Sequence, residues 1–261
     1  VLFLDVDVVV TPTYTASLFE ILKNQRELGA AVGTVLRMYT RADGDFVDDV
    51  FTTDVEAQGL SITRGGNLEF LHEGLAENGV VEVFGVPGIA SMYRVRALLD
   101  GMIGQEYFDI DMDRACISAD LAWRLRLLGW RSCLVTEAIA YRYGSGEQKK
   151  STLYHMVLAG CGGAGDISFF AYRNHFLLLW KNMYARHWVK FFPWFFWTEF
   201  RRRVVLLFLS PRYLIVALQS IRMYPRMLKK HTILMRRARV TPKKIAQWFD
   251  QKTQLLENSV E

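Results

Sequence analysis

Three cysteines, Cys116, Cys133 and Cys161, are all that the 261 residues contain, and none stands in a Cys-x-x-Cys arrangement. That odd and scattered count argues against a disulfide scaffold or a zinc site and fits a reducing compartment. The five histidines are equally sparse and lack metal-ligand spacing. Nothing reads as a signal peptide. Long apolar runs are also missing. Val204–Leu209 and Tyr213–Leu218 are short and interrupted by Arg203, Pro211 and Arg212, which argues against a membrane-spanning helix. There is no initiator Met either. The chain opens on Val1 inside an apolar run, so it is expected to be a fragment whose upstream sequence is missing.

What is present describes a folded protein. Hydrophobic residues make up 51% and charged residues 23%, which excludes global disorder and provides for a sizeable core. The net charge of +5 is unevenly placed. Aspartates crowd the first half. From Lys181 onward Lys and Arg dominate, as in Arg201-Arg-Arg203, Lys229-Lys230, Arg236-Arg237 and Lys243-Lys244. The asymmetry points to an acidic-site domain followed by a segment that faces anionic material.

Val1 to Val10 is nearly all apolar, as in a strand buried on both faces, but it carries Asp5 and Asp7. At i and i+2 the two carboxylates share one side of a strand. Two carboxylates in a core strand are costly without a cation or hydrogen bonds. At the carboxyl end of such a strand they would suit a divalent metal and a diphosphate, the alternative being turn and capping aspartates. A helix is expected over Thr13 to Leu28 and a strand over Ala30 to Leu36. Asp43 to Gly79 is polar and Gly-rich and reads as a long functional loop. Val80 to Phe84 is a strand, followed by the turn Gly85-Val-Pro-Gly88, which lets backbone approach a substrate or simply turns the chain.

Phe108 to Ser145 organises the rest. Asp109, Asp111 and Asp113 form an acidic loop. Leu121, Leu125 and Leu128 mark one face of a helix with Ser118 as its N-cap and Asp120 in its first turn. Gly129 closes it, and Trp130 to Val135 is a strand. A carboxylate-rich loop on such a rigid frame can hold a polar site, though an ordinary αβ unit with a solvated loop has the same pattern. Ser151 to Tyr184 is largely helical. Phe191-Phe-Pro-Trp-Phe-Phe-Trp197 beside so many Arg and Lys residues suits a membrane interface; the alternative is a helical bundle with an aromatic core. Aromatic clusters next to aliphatic runs suit lipid better than nucleic acid. A last helix, Pro242 to Leu256, is capped by Thr241.

Taken in order, these residues resemble a family 2 glycosyltransferase of the GT-A fold, in the rhamnosyltransferase-like branch. Asp120-Leu-Ala-Trp-Arg-Leu-Arg-Leu-Leu-Gly-Trp-Arg131 is close to that family's Asp-Leu-x-Trp-Arg-Leu-Arg-x-x-Gly-Trp-Arg string. Leu4-Asp-Val-Asp7 resembles its Asp-x-Asp strand end, Phe108-Asp109 its Phe-Asp-Glu motif, and Tyr172-Arg-Asn174 with Leu177 to Asn182 its Arg-Asn…Lys-Asn helix. The resemblance implies a truncated GT-A mixed sheet with flanking helices over residues 1–150 and a basic, membrane-associating helical region over 151–261. It implies inverting hexosyl or rhamnosyl transfer from a dTDP- or UDP-sugar to a lipid-linked or polysaccharide acceptor in cell-surface glycan synthesis. The setting would be peripheral at the cytoplasmic face of the cell membrane, with a homodimer as a further partnership and no nucleic acid.

The same resemblance assigns Mg²⁺ or Mn²⁺ and the donor diphosphate to Asp5 and Asp7, with Arg142 on the diphosphate. It puts Gly85, Gly88, Arg94, Trp123 and Arg124 on the acceptor side. Departures fall on the chemistry. Ile117-Ser118 stand where the family has Glu-Asp, its Asp being the general base, Ile110 replaces the Glu of Phe-Asp-Glu, and Arg142 replaces a histidine. Asp111, Asp113 or Asp120 would then serve as the base. The alternative is a catalytically impaired relative that acts as a scaffold or partner at the membrane.

Overall fold

The computed structural model describes residues 1–43, 46–72, 79–112, 115–144, 169–209, 212–249 and 253–255. An eight-stranded mixed sheet with helices on both faces forms the α/β body, the fold class expected from the sequence. Its strands are β1 (Leu2–Leu4), β2 (Val8–Val10), β3 (Leu28–Asp43), β4 (Phe46–Ala57), β7 (Val80–Val83), β8 (Ala90–Tyr93), β9 (Arg131–Tyr143) and β10 (Thr253–Leu255). A separate hairpin joins β5 (Leu60–Ile62) to β6 (Leu68–Phe70).

Two long strands, β3 and β9, form the spine and run parallel to each other. Their lower halves sit in the order β1-β8-β3-β9-β7-β10. Their upper halves take β4 beside β3 and β2 beside β9. The β3–β9 register shifts between Gly33 and Thr34, where the two halves meet. The chain is pinned there. Tyr14 Oη donates to the Ala90 carbonyl at 2.5 Å and accepts from the Gly33 N–H at 3.0 Å. A Cβ on Gly33 would overlap the Tyr14 ring and the Ala138 carbonyl oxygen.

Alternation along the spine feeds two cores. Ala31 and Val35 of β3 and Cys133 and Val135 of β9 meet helix α1 (Tyr14–Asn24) through Leu18 and Leu22. Ala30, Val32 and Leu134 face the other way, toward α2 (Val95–Gly101) and α3 (Ile117–Leu127). Burying each such Leu or Val is worth about 1.5–3 kcal/mol. The opposite side of α3 packs on α4 (Phe169–Asn182), α5 (Ala185–Lys190), α6 (Phe192–Leu209), α7 (Arg212–Arg237) and α8 (Pro242–Gln247). One cluster holds Phe84, Trp123, Leu177, Phe191, Phe195, Leu234 and Trp248 together. The C-terminal helices therefore share a core with the sheet.

Several expectations are corrected. Val1 to Val10 is two short strands, because Asp5 to Asp7 turn the chain. Most of Asp43 to Gly79 is strand, not loop: β4 is rich in Val, Thr and Phe, and its backbone pairs with β3. The N-cap of α3 is Cys116, in the left-handed region at φ 63°, and Ser118 lies inside the first turn. The last helix stops at Gln247, and 253–255 pair antiparallel with β7 instead. Cys116 is disulfide-bonded, against the expectation of reduced thiols. Cys133 is free and buried, and burial pushes its thiol up to about 12.

Gly33→Ala should cost about 1–3 kcal/mol by overpacking the Tyr14 pin. Urea denaturation reads this directly, and an unchanged midpoint would show that the pin is not closely packed.

Candidate functional site

Three groups of residues bear on the expected site. The first is the turn between β1 and β2. Asp5 N–H donates to the Ile89 carbonyl at 2.9 Å, and Tyr143 N–H donates to the Asp7 carbonyl at 2.8 Å. The turn is thus fastened between the start of β8 and the end of β9, with Val6 fully exposed at its tip. Register places Val8 opposite Arg142. The Arg142 guanidinium donates from Nε to Asp7 Oδ2 at 2.9 Å and lies 3.8 Å from both Asp5 Oδ2 and Glu56 Oε1. Glu56 is also held by Arg37 at 2.6 Å. The Asp5, Asp7 and Arg142 side chains are about half-exposed or somewhat less, so a ligand can reach them. Burial pushes the Asp5 carboxyl toward weaker acidity; Arg142 opposes this and Asp7 adds to it.

The turn brings Asp5, Asp7 and Arg142 together as expected, and it adds Glu56 and Arg37. Glu56 lies in the stretch expected to be a loop, and Arg37 lies just past the end of the strand expected over Ala30 to Leu36. The Val- and Thr-rich run of β4 was the available signal. The oxygen-only set of Asp5, Asp7 and Glu56 has the chemistry for Mg²⁺ or Mn²⁺. As arranged, however, it does not fit a metal, because the Arg142 guanidinium stands within 3.8 Å of all three carboxylates. No group of three acidic, His or Cys side chains able to hold a metal occurs among the described residues. Asp5 and Asp7, the expected metal ligands, are here paired with the Arg142 guanidinium. Only one N–H of Arg142 is within hydrogen-bond distance of these carboxylates, and a guanidinium has five donors, so others can face an anion's oxygens.

The second group is the acidic loop and α3. Here the carboxylates are engaged internally. Asp120 is fully buried. Its Oδ2 accepts from Arg124 Nε at 2.9 Å and Lys181 Nζ at 2.7 Å, and its Oδ1 accepts from Asn182 Nδ2 at 2.8 Å. A general base must come within hydrogen-bond reach of the proton it takes, so Asp120 is excluded from that role. Asp111 is buried too, with Arg226 at 2.6 Å and Lys230 at 2.8 Å. Asp109 binds Lys181 and Lys230, each at 2.5 Å. Burial works against ionisation of Asp109, but Lys181 and Lys230 outweigh it and hold the carboxyl at about 2. Burial is likewise outweighed at Asp120 by Lys181 and Arg124, which lower its pKa. Asp113 lies outside the described residues.

The acceptor-side set divides. Gly88 is exposed, next to Ser118 and one residue from the Ile89 carbonyl that holds Asp5. The other four support the fold. Gly85 is a close-packing glycine, since a Cβ there would run into Ala122 of α3. Arg94 binds the Leu22, Gln25 and Leu28 carbonyls at the far end of β8. Trp123 is core, and Arg124 spends its donors on Asp120 and the Gly101 and Tyr107 carbonyls.

The third group is the outer surface of the C-terminal helices. On α6 only Phe195 and Arg202 are buried among residues 192–204. Phe192, Phe196, Trp197 and Phe200 are about half-exposed. Their rings stack along the helix, Phe192 on Phe196 at 5.9 Å and Phe196 on Phe200 at 6.0 Å. On α7 the exposed residues include Leu218, Ile221, Tyr224 and Leu228. No helix among the described residues is long and apolar enough to cross a membrane.

No known family's sequence profile matches the chain, and no curated protein matches it in sequence. Among solved structures, a crystal structure of GalNAc-T7 with UDP, GalNAc and Mn²⁺ superposes with a TM-score of 0.47 at 7% identity. The superposition covers 68% of this chain and 30% of that one, so the chain spans less than a third of that protein. Similarity this weak establishes neither family nor function.

Lys181→Met should cost about 3–5 kcal/mol, because it takes from each of two buried carboxylates one of its two cationic partners and leaves Asp109 with Lys230 and Asp120 with Arg124. The pH dependence has a defined sign. Asp109 is more acidic folded than unfolded, so its contribution is complete above a pH of about 4 and is lost as pH falls toward about 2. Denaturation at several pH values should show this loss in the wild type and a shallower one in Lys181→Met. Equal slopes would remove Lys181 from the balance.

Proposed function

We propose that this chain is part of an inverting glycosyltransferase. It would move a hexosyl or rhamnosyl-type sugar from a dTDP- or UDP-sugar to a lipid-linked or polysaccharide acceptor, at the cytoplasmic face of the membrane, in cell-surface glycan synthesis. The observation that carries the reading is the Asp5–Asp7 turn with Arg142 upon it. It is an accessible charged site at the carboxyl ends of β1 and β9, where open α/β sheets place ligands. The motif resemblance of residues 120–131 supports the same class.

In this reading the outward N–H groups of Arg142 meet the donor diphosphate, and Asp7 orients the guanidinium. The acceptor proton goes to Asp5. It is the most exposed carboxylate of the cluster and the one pushed toward weaker acidity, which makes it the better base. Gly88 and Ser118 border the place where an acceptor hydroxyl would stand. The stacked aromatics of α6, flanked by exposed Arg201 and Arg203, fit the headgroup region of a bilayer.

A second reading has its own support. Asp111 and Asp120 are locked in ion pairs, and Ser118 stands where the resembling family has its base. A scaffold that kept the fold and lost the chemistry would look the same at those positions.

Arg142→Ala in the full-length protein should weaken UDP or dTDP binding by about tenfold or more, the weight of a charge-assisted contact. Asp7→Asn should keep binding within about threefold, with or without EDTA. Loss of binding in Asp7→Asn together with Mg²⁺ dependence would put a metal on the aspartates instead. Asp5→Asn should bind donor and transfer no sugar. A folded wild-type protein that binds donor but transfers nothing to a membrane acceptor extract supports the scaffold. No nucleotide binding at all overturns both the donor site and the enzyme.

Trp197→Glu with Phe200→Glu should abolish flotation with anionic liposomes while leaving the thermal transition unchanged, since both side chains point outward. Unchanged flotation would return the stripe to another partner.

A further inference from the structure

A cavity of about 390 Å³ opens between α5 and α8, away from every residue assigned above. Its wall carries Arg186, Lys190 and Lys243, together with His187, Ala246 and Gln247, and no carboxylate. Several other cations of this region have carboxylate partners, while the exposed Arg222, Lys229, Arg236 and Lys244 have no ion pair among the described residues. Lys181 and Lys230 pair with Asp109, Arg202 with Glu199, and Arg237 and Arg239 with Asp100. The three cavity cations form no ion pair among the described residues. Arg186 and Lys190 are four apart on one helix face, where like charges repel, and Lys243 faces them from α8. Three positive groups thus converge without a counter-charge.

The wall behind them is fixed rather than adaptable. His187 Nε2 is 2.8 Å from the Pro242 carbonyl, Tyr184 Oη donates to the Val240 carbonyl at 2.5 Å, and Phe191 stacks on Phe249 at 4.6 Å. Volume and surroundings narrow the occupant. The cavity is larger than a bare inorganic anion needs and lies within the range of small-ligand pockets. Val189, between Arg186 and Lys190 on α5, is 81% exposed, and α6 continues from there into the aromatic stripe. A multiply charged head with an apolar remainder fits this combination.

We infer that the cavity between α5 and α8 binds a phosphate-bearing headgroup, with Arg186, Lys190 and Lys243 as its charge partners. The inference does not depend on the donor site or on sugar transfer. A phospholipid or a free phosphate compound could supply that group.

The test uses the full-length protein, the triple variant Arg186→Gln/Lys190→Gln/Lys243→Gln, and a charge-matched control, Lys23→Gln/Arg26→Gln/Arg96→Gln. All six residues are exposed, so the fold should tolerate both sets, and thermal melting checks that it does. One arm measures binding to phosphatidylcholine vesicles containing phosphatidic acid, against vesicles with phosphatidylglycerol at equal surface charge. The other measures inorganic phosphate and pyrophosphate by calorimetry without lipid. The wild type should favour phosphatidic acid, and the triple variant should lose about tenfold or more of that affinity. The control should stay within about twofold, since none of its residues lines the cavity. Pyrophosphate binding lost in the triple variant, with no difference on vesicles, assigns the site to a free phosphate compound. Equal losses in both variants, or no loss in the triple variant in either arm, overturn the site.

Discussion

The ammonium of Lys181 is completely buried between Asp109 and Asp120, and the rest of the structure depends on that placement. Moving an ammonium and two carboxylates out of water costs several kcal/mol per ion, and only close, fully bonded geometry returns it. Lys181 belongs to α4, Asp120 to α3, and Asp109 to the loop before α3. Lys230 and Arg226 of α7 complete the cluster on Asp109 and Asp111. Three stretches far apart in sequence, residues 109–120, α4 and α7, must therefore meet at one point with little freedom in angle. Once they do, the Leu177 side of α4 lies on Trp123, α7 closes over α4, and α5 and α6 are carried to the outer surface. The hydrophobic core supplies most of the free energy; the ionic cluster decides which helix goes where.

The same logic explains the stretch that looks most like a family signature. Trp123 fills the core. Arg124 binds Asp120 and two carbonyls. Arg126 binds Glu82 and the Val83 and Phe84 carbonyls and lies 4.5 Å over the Trp248 ring. Gly129 takes φ 90°, Trp130 donates to Asp100 at 2.8 Å, and Arg131 reaches Glu82 at 2.7 Å. Every charged or aromatic member is used in holding α3 and the start of β9 to β7, α2 and the C-terminal helices. A string this recognisable is a frame, and it says nothing on its own about whether chemistry survives beside it. That question passes to the half-exposed turn at Asp5, where the neighbours are fewer and the guanidinium of Arg142 decides what an incoming ligand meets.

What could be read from sequence followed from how local each determinant is. The starts of the two spine strands, α1, α3 and the exit at Gly129 announce themselves through apolar period and turn residues and lie close to where the pattern puts them, but both strands run well past their expected ends at Leu36 and Val135. The fastening of Asp5 and Asp7 in a turn was not visible, because an unbroken apolar run looks the same whether one strand or two shorter ones use it. The role of Asp120 was half visible. Its position in the first turn of a helix is local, but its burial under Lys181 comes from a residue sixty-one positions away. Glu56 was hidden for a different reason. A strand that pairs only along one edge of a long neighbour keeps many polar residues, and β4 reads as loop unless β-branched content is weighed against charge.

The aromatic run from Phe191 to Trp197 allowed two opposite readings, core stripe or outward surface, and the helix resolves them by face. Phe191 and Phe195 point inward and join the Trp123 cluster, while Phe192, Trp194, Phe196 and Trp197 remain in the open. The inner positions are already filled, so rotating the helix would bury one set only by exposing the other. An amphipathic helix normally separates apolar from polar, yet here the outer face is aromatic as well, and the one buried charge, Arg202, is neutralised from inside by Glu199 and hydrogen-bonded to Asn67. A surface built this way gains nothing from water. Some of its cations are spent on Asp100, Asp109, Asp111 and Glu199, and Arg186, Lys190 and Lys243 around the α5–α8 cavity form no ion pair among the described residues. The aromatic face and the unneutralised charge adjoin each other. An apolar contact and an anionic group presented together would satisfy both.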